Sequence, residues 1–261
     1  MLQISSFAAP EQVPSLVAAG GDYVEFFLTS TVTPLSSDEF DRMLLESRTW
    51  PIRPRTFAGL LPRELRVTGP ETNPMAQDSY LREVFSRIGQ LTDGDGIVVF
   101  GSGGARSVPN GYSRDRALDQ LEQFMSRAAM LAGEEGITFT LEPLNRRESN
   151  VFNTVAEGGA FIRDRGLSNV FLIADLFHIM EENESFYSIA KYGDLIVHTH
   201  IADTNRAAPG TGSYPLVEFF TALRLFGYSG RSSIECVWDD FDEQIDSSMK
   251  YCRAARADAG W

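Results

Sequence analysis

Apolar residues along this chain arrive in short blocks, and the blocks alternate between two periods. Residues 2–7, 22–28, 55–60, 96–101, 137–142, 170–175, 194–200 and 232–236 are brief apolar runs of the kind that form buried strands. Between them lie segments of helical period. Residues 10–20 end at Gly20-Gly21, and residues 36–48 mix Leu, Met, Glu and Arg behind a cap at Ser37 or Asp38. Residues 75–91 and 113–135 are longer amphipathic stretches, the second carrying Leu118, Leu121, Phe124, Met125 and Ala128 on one face. Residues 153–165, 181–192, 215–226 and 241–257 complete the helices, and residues 61–74 are irregular, with three prolines and Gly69.

Eight strand–helix alternations imply parallel strands joined by right-handed crossovers. No linker or low-complexity tract divides them, so residues 1–261 read as one α/β domain, a (β/α)8 TIM barrel. An open doubly wound sheet is the rival, and it usually shows an early GxGxxG turn; none follows the first strand here.

Composition narrows the class. A net charge of −13 weighs against partners held by phosphate neutralisation, so neither nucleic acid nor an anionic membrane is expected. Two cysteines, Cys236 and Cys252, make no disulfide framework and no CxxC motif. No signal-like start and no membrane-length apolar run is present, which gives a cytoplasmic expectation. Of 23 basic residues only Lys191 and Lys250 are lysines, and nothing is built on that.

Chemistry concentrates where the late strands end. Glu142, Asp175 and His200 end three of them and Glu235 lies in the fourth, at separations of 33, 25 and 35 residues. Each step is about one βα unit, which sets four ligand-type side chains at one height on four successive strands. A lone acid at a strand end is ordinarily a helix cap or a solvated charge; four in register point to a metal site. Two Glu, one Asp and one His form a hard, oxygen-rich donor set that suits Mn²⁺, Mg²⁺ or Co²⁺. Such an ion can polarise a carbonyl and hold the neighbouring hydroxyl. Carboxylates on either side of the adjacent carbon can then remove and return a proton, giving epimerisation, or aldose–ketose isomerisation if the proton moves to the next carbon.

Nearly the whole chain also resembles the sugar isomerase/epimerase barrels of the xylose isomerase-like superfamily, and within it the ketose 3-epimerases that act on D-tagatose and D-psicose. The likeness is carried by FGSGGARSVPNGY at 100–112, LEPLNRRESNVFNT at 141–154, ADLFHIMEE at 174–182, HTHIADTNRAAPGTG at 198–212 and SIECVW at 233–238. It implies that Glu142, Asp175, His200 and Glu235 hold one divalent ion, with Mn²⁺ first in expectation, and that Glu142 and Glu235 are the acid/base pair. It further implies that Glu148, His178 and Arg206 bind substrate oxygens around C1 to C3. The partner is then a small-molecule sugar, and a homo-oligomer is compatible with the sequence.

Neighbouring residues carry blander readings. His198 shares a strand face with His200 and reads as a satisfied interior or supporting histidine. Arg106 follows a Gly-rich turn that could cradle phosphate, but a tight turn beside the mouth is the better reading. Glu25 either orients substrate or serves the barrel wall. Phe7 and Trp238 are either a sugar-pocket wall or ordinary core.

Four other functions share parts of this pattern. Hydroxypyruvate isomerases carry glutamine where this chain has His200, and inosose dehydratases use a similar barrel and metal. Endonuclease IV needs several zinc ions and more than three histidines. A non-catalytic sugar sensor would be expected to have lost Glu142 or Glu235, and both are present.

Overall fold

In the computed structural model, which describes residues 1–261, the eight apolar runs form eight strands. They are β1 (Gln3–Phe7), β2 (Val24–Phe27), β3 (Pro54–Ala58), β4 (Gly96–Phe100), β5 (Ile137–Leu141), β6 (Phe171–Asp175), β7 (Ile196–Ile201) and β8 (Arg231–Ile234). Every neighbouring pair is parallel and follows chain order. The sheet closes where β8 meets β1 in the register Gln3↔Arg231 through Ser6↔Ile234. The fold is a (β/α)8 TIM barrel with helices between its strands.

Two apolar regions separate cleanly. A core of 60 buried residues lies where the outward faces of the strands meet the surrounding helices, with Phe57, Phe100, Phe139, Leu172 and Phe219 among them. Inside the ring, the apolar cluster is only Ala58, Val99 and Ile173, with Phe7 packed against it. Period-two alternation sends one set of side chains to each side. The ring is otherwise polar, and Ser5, Glu25, His198, His200 and Ser233 are all fully buried. A barrel of this type is ordinarily filled by branched apolar side chains. Buried charge and imidazole in that position require partners.

Several boundaries differ from the sequence reading. The cap at residues 36–48 is Ser36, whose hydroxyl accepts from Glu39 N while Glu39 accepts from Ser36 N at 2.8 Å. This reciprocal box sets the cap one residue earlier than Ser37, which is the first residue of the helix. β2 stops at Phe27, and Leu28 opens a single helical turn, Leu28–Thr31. Of the helix expected over 181–192 only Tyr187–Tyr192 forms as such, and a separate short helix, Leu176–Glu181, precedes it. Asn183, left-handed at φ 53°, lies in the break. β8 ends at Ile234, so Glu235 lies one residue beyond it, with its N–H still donating to Ile201 O at 2.9 Å.

Candidate metal centre and active site

Backbone registers bring the four strand-end residues together. Asp175 pairs with His200 across β6 and β7, and His200 pairs with Ser233 across β7 and β8, two residues before Glu235. Glu142 follows β5 and donates its N–H to Phe100 O. One donor atom from each of Glu142, Asp175, His200 and Glu235 lies within 4.8 Å of every other. Glu142, Asp175 and His200 are buried and Glu235 is partly exposed.

Asp175 is a helix cap through one carboxylate oxygen, one of the two readings its position offers, and its other oxygen is left free. Its Oδ1 accepts from Phe177 N at 2.7 Å and caps Leu176–Glu181. Its Oδ2 is buried and has no hydrogen-bond partner, as is Glu235 Oε2. Glu235 Oε2 does lie 3.0 Å from His200 Nδ1 and 2.7 Å from an Arg206 nitrogen, so it has nearby charge without aligned hydrogen bonds. Buried carboxylate oxygens left in this state are costly unless another group takes them up.

His200 is gripped from both ends. Its Nδ1 faces Glu142 Oε1 at 3.2 Å and Glu235, while Nε2 faces Glu25 Oε1 at 3.0 Å. Glu25 Oε2 takes His198 Nε2 at 2.9 Å. Burial works against a charge on His200, but Glu25 and Glu235 outweigh it and push its pKa well above the usual imidazole value. Burial wins at His198, which is held below that value. His198 therefore supports Glu25 through Nε2 alone: its Nδ1 is buried without a partner, so the satisfied interior histidine expected from the sequence is met at one ring nitrogen only. Glu25, which the sequence left between two roles, is the anchor of both rings.

The two glutamates that share His200 Nδ1 are shifted in opposite directions. Burial raises Glu142, with the Glu235 charge adding to it against the hydrogen bond from His200. Burial would raise Glu235 as well, but the charges of His200 and Arg206 overcome it and hold Glu235 at about 2.

Of the remaining site residues, Glu148 and Arg206 line the same opening, while His178 is buried and not part of its lining. Arg206 reaches Glu235 at 2.7 Å, Glu148 at 3.3 Å and Asp175 at 3.9 Å, and its guanidinium lies 4.8 Å over the Phe177 ring. Asn205 and Arg206 are both left-handed, at φ 61° and 59°. Asp203 stabilises that turn by accepting from Thr204, Gly210 and Tyr214 N–H groups at 2.8–3.0 Å. His178 Nδ1 accepts from Asn145 N at 3.2 Å, and its Nε2 lies 3.5 Å from Asp175 Oδ2. A cavity of about 200 Å³ opens between Gly101, Glu142, Glu148, Arg206 and Glu235, with Phe27 on its far side. Phe7 stands edge-on to His200 at 5.3 Å. Trp238 lines a neighbouring cleft with Phe7 and Phe27.

Arg106 is no phosphate cradle. Its guanidinium is fully buried, donates to Phe100 O at 3.0 Å and packs beside the Phe100 and Phe152 rings. It braces the turn Gly103–Arg106, in keeping with the blander reading.

Two residues of this site had no individual role in the sequence. Gly101 makes room for Glu142: a Cβ there would stand 2.2 Å from Glu142 Oε2. Asp203 was visible only as one polar residue of a loop, although the APGTG run after it supplies the turn it organises.

Residues 86–255 match the model of the xylose isomerase-like TIM barrel family, and the chain belongs to that family. It is 42% identical over 108 residues to a D-psicose 3-epimerase of Agrobacterium fabrum, covering 41% of this chain and 37% of the relative. It is 29% identical over 236 residues to an L-ribulose 3-epimerase of a Methylomonas species, covering 88% and 79%. The match to the first relative therefore spans little more than a third of that protein's length. The fold superposes on the D-psicose 3-epimerase of Clostridium cellulolyticum H10 with a TM-score of 0.83 at 20% identity, covering 98% of this chain and 99% of that one. No helix of the chain is long and apolar enough to cross a membrane.

Proposed function

We propose that this protein is a divalent-metal-dependent sugar epimerase, acting on a ketose at C3 with Glu142 and Glu235 as its acid/base pair. The observation that carries the reading is the Glu142–His200–Glu235 arrangement. Two carboxylates approach one imidazole nitrogen from different strands, and their surroundings drive their proton affinities apart. Two carboxylates placed in this way can act as base on one face of a carbon and as acid on the other.

Glu142, Asp175, His200 and Glu235 fit a hard divalent ion. Their donor atoms converge, three are carboxylate oxygens, and buried oxygens of Asp175 and Glu235 lack other partners. When bound, Mn²⁺, Mg²⁺ or Co²⁺ would polarise the substrate carbonyl and hold its neighbouring hydroxyl. The chain's own residues supply the rest. One glutamate removes the proton beside the carbonyl, and the other returns a proton to the opposite face. Arg206 keeps Glu235 ionised and orients it, and Glu148 and His178 face substrate oxygens. The relatives' names support a ketose and reaction at C3.

The test is incubation with Mn²⁺ and a panel of free ketoses in D₂O. Deuterium retained at C3 of an epimerised ketose is expected. Deuterium at C1 or C2 of an aldose would make the protein an isomerase, and loss of water would make it a lyase. No exchange into any ketose would overturn the reading.

A further inference from the structure

A second cavity, of about 540 Å³, adjoins the first and shares Leu61, Ser102, Gly103 and Glu148 with it. Three guanidiniums line it: Arg63, Arg66 and Arg147. In a chain of net charge −13 that concentration is unusual. Its one acid is Glu148, which already faces Arg206 at 3.3 Å. Arg147 is paired with Glu181. Arg63 and Arg66 make no ion pair, and Arg63 makes no side-chain hydrogen bond at all. Arg66 is held rigid, donating to Gly104 O at 2.5 Å and Ser107 O at 2.8 Å, with its own carbonyl accepting from Gln77 at 2.7 Å. Arg63 lies against the same turn, since a Cβ at Gly104 would stand 2.9 Å from its Cγ.

Two uncompensated guanidiniums, one preorganised, beside a site built for the reacting end of a sugar form a receptor for an oxyanion. We propose that the substrate carries an anionic group, a phosphate ester or a carboxylate, on the end remote from the reacting carbon, and that Arg63 and Arg66 receive it. This rests on the sugar-epimerase reading for the inner cavity. It adds the charge class of the substrate, which the inner cavity does not determine.

Three compounds alike from C1 to C3 test it: D-fructose, D-fructose 6-phosphate and D-fructuronate. Binding is measured on metal-free protein, so that no turnover intervenes. At least one anionic compound should bind about tenfold more tightly than D-fructose, the scale of one charge-assisted hydrogen bond. Preference for one of the two identifies the anion as phosphate or carboxylate. Arg63→Gln, an exposed substitution that removes no hydrogen bond or ion pair of the fold, should remove most of that preference, and added salt should weaken it. Arg66→Lys, which keeps the charge but not the fork, should reduce it in part. Equal binding of all three compounds, or a preference that survives Arg63→Gln, overturns the proposal. Deuterium exchange by the Mn²⁺-loaded protein reports separately on the inner cavity. Exchange into D-fructose without any anion preference would reject the outer receptor and keep the epimerase; binding preference without exchange into any of them would do the reverse.

Discussion

Glu25 Oε1 lies 3.0 Å from His200 Nε2 in the closed interior of the barrel, and both side chains are fully buried. The other oxygen of the same carboxylate holds His198. One acid thus fixes two rings and leaves His200 Nδ1 turned toward Glu142 and Glu235. A carboxylate behind a ligating histidine sets its tautomer as well as its orientation. Glu25→Gln would keep the shape but replace one acceptor oxygen by an NH₂ donor. One ring must then accept at Nε2 and carry its proton on Nδ1; if that ring is His200, the nitrogen facing the site is blocked. We expect Mn²⁺ affinity to fall by about 10- to 100-fold. Glu25→Ala leaves both rings without their partner and should cost about 3 kcal/mol in urea unfolding. Unchanged metal affinity in Glu25→Gln would remove Glu25 from the site.

Gly101 is not left-handed, so alanine meets no backbone strain there; the conflict is with Glu142 Oε2 at 2.2 Å. Gly101→Ala should therefore leave the thermal midpoint close to wild type while displacing the Glu142 carboxylate by about 1 Å. A displacement of that size at a reacting group costs roughly a hundredfold in rate. Steady-state turnover and a melting curve on the same sample separate this from a folding defect. Wild-type turnover would show that Glu142 can work from elsewhere.

Most of the inner site is legible in the sequence because its residues end strands, and strand ends recur at βα spacing. Glu142, Asp175 and His200 need only that regularity. Glu25 is different: its partner His198 is 173 residues away, and a single carboxylate on β2 gives no sign of it. Gly101 is hidden for a related reason, since a glycine after a strand shows nothing of the side chain that needs its space. The outer cavity draws Arg63 and Arg66 from residues 61–74, an irregular stretch whose conformation is set by contacts to the turn after β4. The break at Asn183 is hidden in the sequence because the helical pattern runs through it.

Asp203 gives a prediction with a definite pH sign. Burial would raise its carboxyl, but the backbone N–H groups of Tyr214, Thr204, Gly212 and Gly210 win and hold it below its ordinary 3.8. A depressed acid stabilises the fold above its unfolded value, and that contribution fades as pH falls through the folded one. Asp203→Asn turns an NH₂ toward the Gly210 N–H that Oδ2 now accepts, and should cost about 2 kcal/mol at neutral pH. The gap between wild type and variant should hold above about pH 5, narrow as pH falls below the unfolded value of about 4, and close only once the lower folded value is passed. Turnover should fall too, because the Asp203 turn presents Arg206 to Glu235. A gap independent of pH would mean that the Asp203 charge is not what holds the loop.

Glu235 is the position at which the proposed metal binding and the proposed proton transfer can be told apart. Its Oε2 is 2.7 Å from Arg206 and without an aligned hydrogen bond, so Glu235→Gln keeps the volume and removes the charge. Turnover should vanish while the far-UV spectrum and cooperative unfolding persist. In wild type, chelation should abolish turnover and Mn²⁺ or Co²⁺ should restore it. Metal at about 100 times its dissociation constant should add about 2.7 kcal/mol to unfolding. Because Glu235→Gln retains Glu142, Asp175 and His200, it should still gain stability from Mn²⁺, though at higher metal concentration. Full turnover in a chelated sample would dissociate the four-residue cluster from the reaction; turnover by Glu235→Gln would leave the cluster in place and move the acid/base role to another side chain.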